Sequence, residues 1–175
     1  MLLVQHPVTT SYGCGMEQIT ETLDAVHRFA DLQKVVLWPN VDAGSDDVSK
    51  GIRHFREHHM DAPIYYYKNF SPEDYARVLN NAACCVGNSS SFLREGAFLG
   101  TPAVMVGDRQ EGREHGPNVA YVPHAKDAIA EKIAMQIRHG RYPRAPIFGT
   151  GDAGARIADE LAGIDLATIV KRKLD

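Results

Sequence analysis

Residues 82–105, AACCVGNSSSFLREGAFLGTPAVM, read as a strand, a tight turn, a helix and a second strand in immediate succession. The apolar run at 83–86 is short enough for a buried strand. Gly87 and Asn88 follow it, and both residue types permit a sharp turn at low steric cost. Ser89, Ser90 and Ser91 stand where a helix begins, and Phe92, Leu93, Ala97 and Phe98 recur at helical spacing until Gly100 and Pro102 end it. Backbone N–H groups at a helix start have no intrahelical acceptor, and the helix dipole adds positive character there. The turn can therefore hold a phosphate without a lysine, and serine hydroxyls add donors.

Glu95 follows the serines on the same helical stretch. A carboxylate there can accept hydrogen bonds from both hydroxyls of a sugar diol such as ribose, which lysine or arginine cannot do. The bland alternative is a capping serine and a solvated glutamate.

Outward from this stretch, strand and helix alternate along the whole chain. Strands are expected at 2–5, 35–38, 63–67, 83–86, 103–106 and 119–122. Helices are expected at 16–32, 46–58, 71–81, 125–138 and 153–161. Ser71-Pro72-Glu73-Asp74 is the clearest helix start, with a serine cap, a proline in the first turn and acids at the positive end. This alternation predicts an α/β fold, a doubly wound parallel sheet of Rossmann-like type, with ligands at the carboxyl ends of the strands.

The chain has 175 residues and is 44% hydrophobic, as expected for one globular domain spanning 1–175. Its formal charge of −3 supplies no electrostatic reason to bind nucleic acid. No apolar run approaches the roughly 18 residues that a membrane helix needs. The 3 cysteines (Cys14, Cys84, Cys85) form neither a disulfide framework nor a zinc spacing, and read as packing residues in a reducing cytoplasm. No metal site and no cofactor are expected. Leu2, Leu3 and Val4 begin a strand almost at residue 1, as in the second part of a longer protein.

Other polar groups fall at strand ends. His6, followed by Pro7, is placed to shuttle a proton or bind phosphate, or else to bond within its loop. Asn40 is a turn former as well as a candidate ligand contact. Phe70 offers a face for a base. Arg109 and Arg113 occupy a loop where neutral turn residues would serve, and their forked donors suit a pyrophosphate if they are not simply solvated. A nucleophilic serine is set aside, because Gly87-Asn88-Ser89-Ser90-Ser91 lacks the second glycine of the hydrolase elbow.

Taken together, HPVTT at 6–10, WPNVDAGS at 38–45, GNSSSFLRE at 87–95 with the GAFLGTPAV run overlapping its end, and GDRQEGREHGPNV at 107–119 resemble the UDP-N-acetylglucosamine 2-epimerases. The closest likeness is to the hydrolysing branch of sialic acid biosynthesis. The resemblance implies the C-terminal half of a two-domain GT-B arrangement, with the N-terminal domain absent from this chain. It implies that Ser89 and Ser90 bind the diphosphate of UDP or UDP-N-acetylglucosamine and that Glu95 binds the ribose. Asn40, Phe70, Arg109 and Arg113 would complete the nucleotide site, with His6 beside the diphosphate and the reacting sugar as the catalytic residue. The family eliminates UDP and hydrates the resulting glycal to N-acetylmannosamine. Its acids for the sugar carbons lie mainly in the N-terminal domain, so these residues alone are expected to be inactive. A cytoplasmic homo-oligomer is implied. The alternatives are a non-hydrolysing epimerase, a GT-B glycosyltransferase domain and, from another class, a non-catalytic sensor or assembly domain.

Overall fold

The structure is a computed structural model describing residues 1–165. Six parallel strands form one sheet: β1 (Leu2–Val4), β2 (Lys34–Leu37), β3 (Ile64–Tyr67), β4 (Cys85–Gly87), β5 (Ala103–Val106) and β6 (Val119–Val122). Their order is β3-β2-β1-β4-β5-β6. Among the described residues six α-helices accompany them: α1 (Gly15–His27), α2 (Ser45–His58), α3 (Pro72–Asn81), α4 (Glu95–Leu99), α5 (Lys126–His139) and α6 (Ala153–Gly163).

Both faces of the sheet are covered, because side chains alternate along each strand. Leu3, Val36, Val86, Val104 and Val106 point to the layer formed by α1, α2 and α5, where they meet Ile19, Leu23, Ile52, Ile129 and Ile133. Leu2, Val4, Leu37, Cys85, Ala103 and Met105 point the other way, toward Leu79 of α3 and toward Phe92 and Leu93. This is the doubly wound parallel sheet expected from the alternation. The strand order reverses between β1 and β4, and a crevice opens at such a reversal beyond the strands' carboxyl ends.

The structure corrects several expectations. α1 ends at His27, short of residue 32. The chain tightens there as the Arg28 and Phe29 amides both bond to Val26 O, and Leu32 lies in the following turn, bonded to Phe29 O. β2 begins at Lys34, whose stem is buried and whose ammonium donates to Phe29 O at 2.6 Å. β4 is shifted one to two residues from 83–86 and includes Gly87. Gly87 has φ +129°, and a β-carbon there would collide with the Val4 carbonyl oxygen, so only glycine lets β1 and β4 meet at this register. Cys84 and Cys85 are buried as expected, and burial pushes the Cys84 thiol up to about 12, but Cys14 is exposed.

The largest correction concerns the serines. No continuous helix runs from Ser89 to Gly100. Ser90–Phe92 is a single 3-10 turn, and α4 follows as a separate helix of 5 residues. Phe92 and Leu93 are consecutive and both fully buried, and Ser90 O accepts from both the Leu93 and Arg94 amides as the chain turns inward. So short a helix adds little dipole, and the donors of this turn must be its hydroxyls and nearby side chains.

Candidate functional site

The crevice is built where β1 and β4 end side by side. Val4 pairs with Gly87, and the Asn88 amide continues the pairing by donating to Val4 O at 3.1 Å. The Asn88 side chain then closes the gap. His6 N donates to Asn88 Oδ1 at 2.7 Å, and Asn88 Nδ2 donates to His6 O at 2.9 Å. Both residues are buried.

His6 extends this knot to a third loop. The Asn40 backbone N–H donates to His6 Nδ1 at 3.2 Å. A ring nitrogen that accepts carries no proton, so the neutral imidazole holds its proton on Nε2. Burial lowers the His6 pKa and the Arg109 charge lowers it further, while Asp42 opposes them. His6 is thus a neutral donor, with the loops after β1, β2 and β4 fixed around it.

The serine turn lies beside it. Ser89 caps the 3-10 turn, and its Oγ accepts the Ser91 amide at a long 3.4 Å. Ser89 Oγ and Ser91 Oγ are 2.8 Å apart, and Ser91 Oγ is 2.5 Å from the hydroxyl of Tyr75 on α3. A cavity of about 250 Å³ opens here, lined by His6, Asn40, Lys68, Tyr75, Ser89 and Ser91 among others. Burial raises the Tyr75 pKa, its serine hydrogen bonds oppose that, and the negative charge of Glu95 adds to the rise. Glu95 is exposed and opens α4, just beyond the serine turn.

The remaining expected residues separate. Arg109 Nη1 donates to Asn88 O at 3.3 Å, and its Nη2 lies 3.8 Å from Asp42. It lines a neighbouring cavity of about 570 Å³ together with Thr9, Thr10 and Asp42. Arg113 lines a third cavity, of about 920 Å³, with Asp108, Tyr121 and His124. The two arginines thus line adjoining cavities, which share Asp108 and Glu111. Phe70 packs 4.8 Å from the Tyr67 ring and against the core that holds Leu79, while its neighbours Lys68 and Asn69 reach the serine cavity. Ser90 is half-buried within the turn.

Four contributors escape the motif reading. Asn88 looks like a turn residue, yet it carries the knot. Gln110 donates to Asn88 O at 2.9 Å and steadies it from below. Lys68 and Tyr75 line the cavity. Tyr75 falls in the first turn of α3, where the sequence shows only a capped helix start. Among the described residues no group of three or more His, Cys, Asp or Glu side chains is placed to hold a metal ion. Also among them, no helix is long and apolar enough to cross a membrane.

Residues 1–162 match the family described as UDP-N-acetylglucosamine 2-epimerase. The chain belongs to this family. It is 32% identical over 133 residues to the polysialic acid biosynthesis protein P7 of Escherichia coli, covering 75% of this chain and 33% of that protein. It is 27% identical over 172 residues to the hydrolysing UDP-N,N'-diacetylbacillosamine 2-epimerase of Legionella pneumophila, covering 98% and 45%. Among solved structures, the Methanocaldococcus jannaschii UDP-GlcNAc 2-epimerase in complex with UDP-GlcNAc and UDP superposes with a TM-score of 0.67 at 14% identity, over 92% of this chain and 44% of that one. The chain thus spans less than half the length of these relatives.

Every residue of the knot and of the serine turn falls inside the span matched to the epimerase family. In this epimerase-family domain the serine cavity brings together hydroxyls of Ser89, Ser91 and Tyr75, the His6 imidazole and Lys68. Such a set can grip an anion through neutral and cationic donors.

Proposed function

We propose that this domain binds UDP and the nucleotide end of UDP-N-acetylglucosamine in the crevice between β1 and β4. The observation that supports this reading is the cavity at the topological reversal that His6, Ser89, Ser91 and Tyr75 line together, with the serine and tyrosine hydroxyls in hydrogen-bond contact. In this reading Ser89 and Ser90 hold the diphosphate, Glu95 the ribose hydroxyls, and Asn40 and Phe70 the base end. Arg109 reaches the phosphates from beside Asn88, and Arg113 belongs to the rim toward the sugar.

In the proposed reaction a base outside this chain removes the proton on C2 of the sugar. The C1–O bond breaks, its electron pair leaves with UDP, and water adds to the glycal to give N-acetylmannosamine. His6 acts by hydrogen-bonding the departing phosphate through Nε2–H, which stabilises the charge that develops there. The partner is an N-terminal domain carrying the acids for the sugar carbons, within a cytoplasmic enzyme that self-associates. Hydrolysis rather than release of the epimerised nucleotide sugar is favoured by the HPVTT and GNSSS motifs and by the likeness to the Legionella pneumophila protein.

A thermal shift series tests the binding. UDP should raise the melting temperature most, UMP less and uridine least, because a ligand at about 100 times its Kd adds about 2.7 kcal/mol. An equal response to all three would count against diphosphate recognition. With the N-terminal half joined, free N-acetylmannosamine identifies hydrolysis, and UDP-N-acetylmannosamine identifies the non-hydrolysing alternative.

A further inference from the structure

The hydroxyl at the mouth of the serine turn is not free to point either way. Ser89 Oγ accepts the Ser91 amide and lies 2.8 Å from Ser91 Oγ. Ser91 Oγ in turn lies 2.5 Å from Tyr75 Oη. Three hydroxyls in a row can direct their protons inward or outward, and the two senses present opposite faces to a ligand. Outward, Ser89 offers a proton. Inward, it offers a lone pair, which repels an anion.

Tyr75 sits at the far end of this row from Ser89. Its ring is held in the first turn of α3, which is fixed by the Ser71 cap accepting the Asp74 amide at 3.1 Å, and it packs against the core beside Phe70 and Val78. The phenol carries one proton, and Ser91 Oγ lies within reach to accept it. When Tyr75 donates to Ser91, the Ser91 proton goes to Ser89 Oγ. That oxygen then accepts both the Ser91 amide and the Ser91 hydroxyl, and its own proton turns into the cavity.

We propose that Tyr75 is a positioning residue that sets the sense of a Tyr75–Ser91–Ser89 hydroxyl relay, so that Ser89 meets the ligand as a donor and the turn selects anions. The proposal rests on the nucleotide-binding reading above. It assigns discrimination between a phosphorylated and an unphosphorylated nucleoside to the sense of the hydroxyl row that Tyr75 sets.

The test is calorimetric titration of the 175-residue chain with UDP and with uridine, for the wild type, Tyr75→Phe and Ser91→Ala. Phenylalanine removes one oxygen and keeps the ring. UDP affinity should fall roughly two- to tenfold in Tyr75→Phe, the loss of one hydrogen bond, with uridine affinity unchanged. Ser91→Ala breaks the relay in its middle and should give the same split. The double variant should be no worse than Ser91→Ala alone, because the two residues act in series. A melting curve confirms that each variant is folded, and Ser91→Ala carries the test if Tyr75→Phe is not. Unchanged UDP affinity in both variants, or equal losses for UDP and uridine, would overturn the relay. A wild-type chain that binds no UDP would instead overturn the nucleotide-binding reading, and the relay with it, before any variant is compared.

Discussion

His6 and Asn88 exchange two hydrogen bonds across the ends of β1 and β4, backbone to side chain in both directions, at 2.7 and 2.9 Å. One asparagine amide thereby satisfies both backbone groups of the residue that faces the crevice. Arg109 and Gln110 bond to the Asn88 carbonyl, so the same residue also holds the loop after β5.

Replacing Asn88 with alanine leaves the buried His6 N–H and C=O without partners. The expected loss of stability is about 2 to 4 kcal/mol, from one to two kcal/mol for each orphaned group. Urea unfolding measures it. Asn88→Asp keeps the acceptor, loses the donor and buries a charge, and should be no more stable than Asn88→Ala. A variant within about 0.5 kcal/mol of wild type would show that the knot is dispensable.

Gly87→Ala should be more damaging than its single methyl suggests. The left-handed φ is strained for any side chain, at about 1 to 3 kcal/mol, and the methyl also meets the Val4 carbonyl, so β1 and β4 must separate. The expected result is a large drop in melting temperature together with loss of UDP binding. Gly112→Ala, at φ +75° with open space around it, should show the strain alone.

Acid should destabilise the fold in a defined window. The folded-state pKa of His6 lies below its ordinary 6.5, with burial first among the causes. His27 and His124 are lowered as well, again chiefly by burial. As pH falls through about 6.5 the unfolded chain takes up protons at these imidazoles while the folded chain resists, so the stability present above 6.5 declines below it. Urea midpoints measured from about pH 7 to about pH 5 should fall, and His6→Asn should flatten the slope, since asparagine can still accept the Asn40 amide without titrating.

Glu95→Gln and Arg109→Ala should separate by ligand and by salt. Loss of the Glu95 charge should weaken UDP while leaving pyrophosphate nearly unaffected. Loss of Arg109 should weaken both, and the deficit should shrink as salt rises, because screened attraction is what it removes. Isothermal titration at about 0.05 and about 0.5 M salt decides it. Equal damage to pyrophosphate from both changes would remove the ribose role of Glu95.

The strands were legible where turn residues bound an apolar run on both sides. β5 and β6 occupy the residues expected of them, 103–106 and 119–122, because an apolar run there has no competing period. The helix ends were less readable: Leu32 extends an apolar spacing that the chain leaves at His27. The break after the serine turn has no mark in the periodicity, which runs on through Phe92, Leu93, Ala97 and Phe98. At the site, residue types and strand-end positions marked His6, Asn40, Ser89 and Glu95. They did not mark Asn88 or Tyr75, whose roles come from contacts that join separate stretches of the chain. A bond between positions 6 and 88 leaves no local signature. Nor did they separate Arg109 from Arg113, which are close in sequence but line different cavities.

The three-loop knot joins residues 6, 40 and 88, which are far apart in the chain. Contacts of such long sequence separation are expected to form slowly relative to local helices. Competence to capture a ligand should therefore arrive after most of the helical content. Ligand uptake during refolding would then trail the recovery of far-ultraviolet ellipticity, making it a clock for completion of the sheet's centre.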